Sequence, residues 1–426
     1  MNETTLEHWA APSTKRPVDA TIELPGSKSI TNRALPLAAL ASEPSILRGA
    51  LRSRDTDLMA AGLRALGVGI DDSGVDWHIA PARLRGPASI DCGLAGTVMR
   101  FLVAVSALAD GEISFDGDPV ARTRPMRPLL DGLRQLGVRI DDGGHGFLPL
   151  RVIGTGHVSG GRCEIDASTS SQFLSAMLLA AARADGHVVV EHVGASLPSM
   201  PHIEMTVAML RERGIKVDAE TAGRSWCVGP GSISGGAIDI EPDLSNAAPF
   251  AAAALATGGV VRFPRWPVAT TQPGAAVPAV LERMGASYTL DDNGLTVRGT
   301  GIVHGIDINL RDTSELTPTL AVLAAIADSP STLSGIGHMR GHETDRLAAL
   351  TREINDLGGD VTETEDSLTI RPKPLSAGVF HTYADHRIAT SAAVLGLVVP
   401  GILVENIATT AKTMPGFTDM WNALLT

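Results

Sequence analysis

The chain has 426 residues, of which 44% are hydrophobic and 19% charged, and it carries a formal net charge of −12 at pH 7. This length exceeds what one hydrophobic core usually supports, so we expect two domains. The negative charge argues against a nucleic-acid partner, and 8 Phe, 5 Trp and 2 Tyr leave few rings for stacking on bases.

Cysteine usage and the first residues favour a cytoplasmic protein. The three cysteines, Cys92, Cys163 and Cys227, are too few and too scattered for a disulfide framework, and they lack a metal-ligand spacing. The opening MNETTLEHWAAP is acidic and has no apolar stretch, so we do not expect a signal peptide. No apolar run is long enough to span a bilayer, so we expect no membrane partner.

One pattern recurs along the chain at nearly constant spacing. A helix ending in Leu-x-x-x-Gly, or a close variant, precedes a short strand and places glycines at 67, 137, 214, 285 and 358. Ala-rich helices open near Ser29, Gly96, Ser170, Ser245, Glu315 and His386. Six repeats of about 71 residues therefore account for the length, which indicates one supersecondary unit used six times. The sixth repeat overruns the C-terminus, so we expect the N-terminal strands to complete it and the chain ends to lie close together.

The repeats contain two kinds of helix, which predicts a layered α/β fold. Ser171–Ala182 and Asn246–Ala256 are apolar nearly all round, which predicts burial on every side, whereas Thr56–Leu66 is amphipathic and should cover a face. Short β-branched runs between helices indicate strands. Pro25 and Pro242 mark candidate crossings between two similar halves of three repeats each. The predicted domains are 1–25 with 241–426, and 26–240 as a continuous insertion.

The first helix opening carries the strongest local signal. In LPGSKSITNRALPLAAL a strand ends at Gly26, and Lys28, Ser29 and Arg33 surround the start of a buried helix. Free N–H groups at a helix N-terminus attract anions, and the two cations strengthen this attraction. A capping serine beside a solvated lysine explains the same residues, so this motif alone leaves anion binding open.

Similar openings recur at other repeat positions, mostly with hydroxyl or cationic residues. Gly96 would let a ligand approach the backbone closely. Because the openings are related by the repeat, together they predict a cationic site for at least two small anions inside an acidic protein. The residues concerned include Gly96, Arg100, Arg124, Ser170, Ser171, Gln172, Arg387 and Lys412.

Acid–base chemistry at such a site requires carboxylates. Glu343 lies in HMRGHETDRL, and Glu315 opens the fifth buried helix. Helix capping by Thr344 or Asp345 with a solvated Glu343 explains the first segment equally well, and Glu315 is either a cap or a base. Next to cations, Glu315 should stay ionised.

Taken together and in this order, these segments resemble the 5-enolpyruvylshikimate-3-phosphate synthase family. The resemblance covers the whole chain, from PGSKSITNR through LAGTVMR, RTRPMRP, SSQF, SMPHI, HETDRL and YADHRIA to TAKTMPGF. It implies transfer of the enolpyruvyl group of phosphoenolpyruvate to the 5-hydroxyl of shikimate 3-phosphate, with release of phosphate, in aromatic amino-acid biosynthesis. It also implies an inside-out α/β barrel fold, in which each domain has three βαβαββ units with buried parallel helices, and inhibition by glyphosate. We expect a monomer with no metal and no other cofactor.

The resemblance also implies roles for individual residues. Lys28, Glu315 and Glu343 are implied as catalytic, with Glu343 protonating the methylene carbon and Glu315 engaging the shikimate hydroxyls. The implied shikimate 3-phosphate contacts are Lys28, Ser29, Arg33, Ser170, Ser171, Gln172, Ser199, Glu315 and His342. The implied phosphoenolpyruvate contacts are Lys28, Gly96, Arg124, Gln172, Arg346, Arg387 and Lys412. Three positions depart from the commoner family residues, since Glu315 replaces Asp, His342 replaces Lys and His338 replaces Asn. A neutral histidine there would weaken substrate contact or make it pH-dependent.

Three alternatives share part of this pattern. UDP-N-acetylglucosamine enolpyruvyltransferase has the same fold and chemistry, but it usually carries a reactive cysteine in the loop that here is DPVARTR, and it lacks the Ser-Ser-Gln motif. An RNA 3′-phosphate cyclase-like protein is opposed by the net charge and the scarce aromatic residues. An inactive anion-binding relative is opposed by Lys28, Arg124, Glu315 and Glu343, which are all present.

Overall fold

A computed structural model describes residues 7–220 and 224–425. The chain divides into two compact units, Gly26–Glu241 and the remainder, which runs to Pro25 and resumes at Pro242. Each unit has its own buried apolar core. None of the helices in the described ranges is long and apolar enough to cross a membrane.

Short strands and medium-length helices alternate through both units. The strands are β1 His8–Ala10, β2 Asp19–Thr21, β3 Ser45–Arg48, β4 Gly69–Asp71, β5 Trp77–Ala80, β6 Ala88–Asp91, β7 Asp110–Asp116, β8 Arg139–Asp141, β9 Leu150–Thr155, β10 Gly161–Ile165, β11 Val188–His192, β12 Val217–Glu220, β13 Ser225–Val228, β14 Gly236–Asp239, β15 Val260–Phe263, β16 Ser287–Asp291, β17 Gly294–Arg298, β18 Asp307–Asn309, β19 Ser331–Ser334, β20 Asp360–Glu363, β21 Ser367–Arg371, β22 Gly378–Phe380 and β23 Ile402–Glu405. The α-helices are α1 Lys28–Ala39, α2 Arg54–Ala65, α3 Val103–Ser106, α4 Arg127–Gln135, α5 Gln172–Ala181, α6 Met200–Glu212, α7 Ala248–Thr257, α8 Val277–Arg283, α9 Thr317–Ala325, α10 Arg346–Asp356, α11 His386–Val398 and α12 Phe417–Asn422. A π-helical turn, Val98–Leu102, leads into α3.

The sheets repeat one topology, which confirms the predicted βαβαββ unit. In the unit 26–241 the strand orders are β14-β3-β5-β4, β6-β7-β9-β8 and β10-β11-β13-β12. The first pair of each sheet is parallel and the others are antiparallel. In the other unit the orders are β2-β15-β17-β16, β18-β19-β21-β20 and β22-β23-β1. The predicted α/β class with three repeats in each half is therefore confirmed.

The N-terminal strands were expected to complete the sixth repeat, and only one of them does. β1 pairs with β23, His8 opposite Glu405, so it closes that repeat. β2 instead pairs in parallel with β15, Asp19 opposite Val260, so it opens the fourth repeat. The physical reason is that the chain leaves this unit and re-enters it at adjacent points, since the Asp243 amide donates to the Pro25 carbonyl at 2.8 Å. β2 therefore still stands directly before α7 in space, as the first strand of a parallel βαβ unit must.

The Ala-rich helices form the centre of each unit, as their all-round apolar character predicts. Every residue of α7 from Ala248 to Leu255 is buried, and so is every residue of α9. In this unit α7, α9 and α11 pack against one another. In the unit 26–241 the corresponding contacts join α1, α3 and α5. Small alanine side chains allow this close approach, and the amphipathic helices cover the outside.

Each predicted Leu-x-x-x-Gly glycine ends a helix. The glycines at 67, 137, 214, 285 and 358 have φ between 84° and 109°, in the left-handed region. A residue in this conformation just after the last helical residue lets the chain turn away from the helix, and glycine adopts it without a Cβ clash.

Replacing Gly137 by Ala tests this cost alone, because in the described part of the chain no atom beyond its two chain neighbours lies within 4 Å of the added Cβ. We expect Gly137→Ala to lower the free energy of unfolding by about 1 kcal/mol, through backbone strain. Urea unfolding measures the difference. Gly285→Ala should cost more, because its Cβ would lie 2.9 Å from the Ile302 carbonyl oxygen. Gly74→Ala, on an exposed turn with ordinary contacts, is the control, and an equal loss there would contradict the explanation.

Candidate active site

The predicted site residues fall into two clusters, one in each unit. In the unit 26–241, Ser27 caps α1, and its side chain accepts a hydrogen bond from the amide of Ile30. The Lys28 Nζ lies 3.3 Å from Asp55 Oδ2, in the first turn of α2. This ion pair holds the ammonium group at the N-terminus of α1, where the helix dipole also favours anions.

Four further predicted residues lie at the starts of two helices, namely Ser170, Ser171 and Gln172 at α5 and Ser199 at α6. Ser171 is the residue before α5, and the Ser170 hydroxyl accepts a hydrogen bond from the Gln172 amide at 3.4 Å. Ser199 precedes α6 with φ 55°, a left-handed conformation that is costly for a non-glycine residue. His202, in the first turn of α6, places Nε2 3.5 Å from the Ser29 hydroxyl. The openings of α1 and α6 therefore lie together.

Gly96 faces the ends of three polar side chains. A Cβ at this position would lie 3.0 Å from Arg100 NH1, 3.0 Å from Gln172 Oε1 and 3.1 Å from Arg124 NH2. Arg100 donates to Gln172 Oε1 at 2.7 Å, and Arg124 donates to the Leu94 carbonyl at 3.2 Å. The buried Nε of Arg124 has no hydrogen-bond partner among the described residues. We call Gly96, Arg100, Arg124 and Gln172 the arginine–glutamine cluster.

Arg33 lies inside the protein rather than at the surface of this cluster. Its side chain is 1% exposed and donates to Thr206 Oγ1 at 2.8 Å, to the Ser29 carbonyl at 2.9 Å and to the His202 carbonyl at 3.1 Å. Burial lowers the pKa of this guanidinium to about 9, so it stays charged at neutral pH. These bonds tie α1 to α6. The role of Arg33 as a substrate contact stays a prediction.

The second cluster joins three segments of the other unit. The Glu343 carboxylate lies 2.7 Å from Lys412 Nζ and 3.2 Å from Arg346 NH2, and its side chain is only 11% exposed. A solvated Glu343, one of the two explanations left open by the sequence, is therefore wrong. Asp345 caps α10 by accepting from the Ala348 amide at 3.1 Å. The group Glu343, Arg346, Asp385, Arg387 and Lys412 is called the carboxylate–cation cluster.

A buried ion pair anchors this cluster. Arg346 donates to both oxygens of Asp385, at 2.7 and 3.1 Å. Burial lowers the pKa of the Arg346 guanidinium, but the adjacent Asp385 and Glu343 carboxylates outweigh it, and the pKa is raised. Asp385 also caps α11 by accepting from the Arg387 amide at 2.9 Å. The Arg387 side chain donates to the Ser245 carbonyl at 3.4 Å.

Glu315 and the two unusual histidines border the carboxylate–cation cluster. Glu315 lies in the short turn Ser314–Leu316 that leads into α9. His338 Nε2 is 2.8 Å from the Ser314 hydroxyl, and its ring meets the edge of the His342 ring at a centroid distance of 5.8 Å. Burial lowers the pKa of His338, against the opposing effect of Glu315. Because Arg346 can only donate, the bond of 3.2 Å to His342 Nδ1 makes that nitrogen an acceptor.

Some residues of the clusters were not selected from the sequence. Asp385 sits in the YADHRIA segment, from which only His386 and Arg387 were singled out, because an aspartate before a helix is usually a cap. Asp55 and His202, which contact Lys28 and Ser29, had no distinguishing local signal in the sequence. Among the residues described, no three or more His, Cys, Asp or Glu side chains are grouped so that they could hold a metal.

Comparison with known proteins decides the family. The profile of the EPSP synthase (3-phosphoshikimate 1-carboxyvinyltransferase) family matches residues 12–421. The chain belongs to the EPSP synthase family. A 3-phosphoshikimate 1-carboxyvinyltransferase of Kocuria rhizophila is 54% identical over 430 residues, which cover 98% of this chain and 96% of that protein.

Solved EPSP synthase structures agree along nearly the whole chain. One from Acinetobacter baumannii has a TM-score of 0.79 and 26% identity, and covers 97% of both chains. A second has a TM-score of 0.80 and 25% identity, and covers 98% of both. The family resemblance and the fold class predicted from the sequence are confirmed, and the UDP-N-acetylglucosamine enolpyruvyltransferase alternative is not favoured.

The lowered pKa of His338 predicts a pH dependence of stability. Between its folded value and the ordinary value near 6.5 the unfolded chain binds more protons, so stability rises with pH and falls on acidification. We expect His338→Asn to lose less stability than the wild type between pH 7.5 and 5.5. Melting temperatures across this range measure it. His78→Asn, on the exposed side of β5, serves as control, and parallel curves for wild type and His338→Asn would contradict the prediction.

Proposed function

We propose that this chain transfers the enolpyruvyl group of phosphoenolpyruvate to the 5-hydroxyl of shikimate 3-phosphate and releases phosphate. Family membership supports the reaction, and one structural observation supports the chemistry. Glu343, an acid–base group, is held between Lys412 and Arg346, two cations suited to a small carboxylate or phosphate.

We assign proton donation to the methylene carbon to Glu343. An anionic substrate bound to Arg346 and Lys412 would compete with Glu343 for their charge. Competition of this kind favours the protonated carboxyl, which is the form that can donate a proton. Glu343 would thus become an acid when phosphoenolpyruvate is present. Glu315 is assigned to the shikimate hydroxyls, where it assists loss of the hydroxyl proton.

The remaining assignments follow the two clusters. Backbone amides and hydroxyls at helix openings suit a phosphate group, and the buried guanidinium of Arg124 beside Gly96 suits a compact anion. We assign shikimate 3-phosphate to Lys28, Ser29, Arg33, Ser170, Ser171, Gln172, Ser199, Glu315 and His342. Phosphoenolpyruvate is assigned to Lys28, Gly96, Arg124, Gln172, Arg346, Arg387 and Lys412.

We further propose a cytoplasmic monomer that acts on these two small molecules without a nucleic-acid partner. The net charge of −12 supports the absence of a nucleic-acid partner, because a phosphate backbone would be repelled outside the local cationic clusters. The two compact units are proposed as its two domains.

A phosphate-release assay tests the reaction. Phosphoenolpyruvate is supplied with shikimate 3-phosphate in one reaction and with UDP-N-acetylglucosamine in another. We expect release only with shikimate 3-phosphate. Turnover of UDP-N-acetylglucosamine alone would overturn the proposed acceptor, and no turnover of either would overturn the proposed activity.

Glu343→Gln separates proton donation from binding. The amide keeps the shape of the side chain but cannot donate an acidic proton, so we expect turnover to fall by about 10²- to 10⁴-fold. The dissociation constant of shikimate 3-phosphate, measured by calorimetry, should stay nearly unchanged. Glu282→Gln, an exposed change on α8, is the matched control. Full turnover at saturation together with lost binding would make Glu343 a binding residue instead.

Gly96→Ala tests steric selection near the arginine–glutamine cluster. Gly96 has no positive φ, and the added Cβ would meet flexible side-chain ends, so we expect the fold to tolerate the change. Glyphosate is longer than phosphoenolpyruvate, and a methyl-sized difference changes selectivity by roughly 10- to 200-fold. Glyphosate inhibition should therefore weaken more than the KM for phosphoenolpyruvate rises. Equal changes in the inhibition constant and KM, with a lower melting temperature, would contradict this.

A further inference from the structure

We propose that Glu353 and Tyr383 are positioning residues, whose hydrogen bond holds the turn 381–385 in the one conformation that places Asp385 against Arg346. Neither residue belongs to the carboxylate–cation cluster. The inference rests on the proposed function, because it takes this cluster to be where phosphoenolpyruvate binds.

The turn has an unfavourable backbone. Tyr383 has φ 54° and Ala384 has φ 55°, so two consecutive residues with a Cβ are left-handed. Glycine would adopt this conformation freely, and neither position has one. Such a conformation persists only when the surrounding contacts fix it. The contacts that fix it therefore set the position of the next residue, Asp385.

A buried carboxylate on α10 supplies those contacts. Glu353 is 0% exposed, and one of its oxygens accepts from the His381 amide at 2.8 Å and from His381 Nδ1 at 3.1 Å. Its other oxygen accepts a short bond from the Tyr383 hydroxyl. Burial raises the pKa of this hydroxyl, and the bond to Glu353 raises it further, so Tyr383 remains a donor. One carboxylate thus binds the first and the third residue of the turn.

The same helix holds the turn a second time. Arg346 and Glu353 stand seven residues apart on α10, which is two helical turns, so they share a face. Glu353 binds His381 and Tyr383, while Arg346 binds Asp385 at 2.7 and 3.1 Å. The separation of the two anchor points is fixed by the helix, and the turn must match it.

The short helix Ile407–Lys412, which carries Lys412, is also bonded to this turn. The Thr409 hydroxyl donates to the Ala384 carbonyl at 2.8 Å, and Thr409 belongs to the short helix Ile407–Lys412 that ends with Lys412. The Asp385 carboxylate in turn accepts a hydrogen bond from the Arg387 amide. The turn 381–385 is therefore bonded to all three segments that carry Arg346, Arg387 and Lys412. If the turn relaxes, the spacing of these three cations changes.

Tyr383→Phe removes the hydroxyl and keeps the ring. The other tyrosine of the chain, Tyr288 on β16 in the same unit, gives the matched control Tyr288→Phe. We expect Tyr383→Phe to raise the KM for phosphoenolpyruvate about 10- to 100-fold, since an error of about 1 Å in placing a substrate-binding group has effects of this size. The dissociation constant of shikimate 3-phosphate should not change, and Tyr288→Phe should match the wild type. Glu353→Gln keeps one carbonyl oxygen, which can accept from either His381 or Tyr383, so it should fall between wild type and Tyr383→Phe.

The assay separates the possible failures. No turnover by the wild type would overturn the proposed function, and this inference with it. Wild-type turnover with an unchanged KM in Tyr383→Phe would overturn the inference alone. A lower melting temperature with KM unchanged would show a purely structural role and also overturn it. If Tyr383→Phe does not fold, Glu353→Gln decides by the same KM comparison.

Discussion

The structure depends on burying helices on every side. All of α9 and most of α7 are buried, so the unpaired amides and carbonyls at their ends lie inside the protein. Those ends must meet partners or ligands, because an unsatisfied buried amide is costly. The partners found here include the side chains of Asp243, Asp345 and Asp385, which accept bonds from first-turn amides. Both proposed binding clusters lie at such helix ends, so the need to complete the helices and the ability to bind anions have one origin.

The carboxylate–cation cluster shows how carboxylates balance buried positive charge. Removing Arg346 and Asp385 from water costs several kcal/mol for each ion, and only close paired contacts offset it. The bidentate geometry provides those contacts, and it uses one edge of the guanidinium. Glu343 takes a further position on the same group, with Lys412 on its other side. Two carboxylates are therefore arranged differently around one arginine, Asp385 fully buried and Glu343 partly accessible.

Repeats and helix ends were predictable from sequence because both are local. Glycines at 67 and 137 mark helix ends through their own φ values, and the alanine-rich segments are apolar over a whole turn. The prediction that β2 completes the sixth repeat was wrong, because its partner β15 is distant in sequence and the pairing depends on where the insertion leaves the chain. Cations at helix openings were found for the same local reason. The sequence did not predict the burial of Arg33 or the ion pair between Asp385 and Arg346, since both depend on neighbours supplied by other helices.

The strand β14 has a consequence for how the chain can be cut. By pairing with β3, it brings the last residues of the inserted unit back to its first ones, and the Ser27 amide donates to the Glu241 carbonyl at 2.8 Å. On the other side, the Asp243 amide donates to the Pro25 carbonyl at 2.8 Å. The inserted unit is thus closed on itself, with its start and its end joined by a hydrogen bond, and the two segments of the other unit are joined where the insertion leaves them. Residues 26–241 consequently have the geometry of a self-contained module, which suits circular permutation and production as a separate polypeptide.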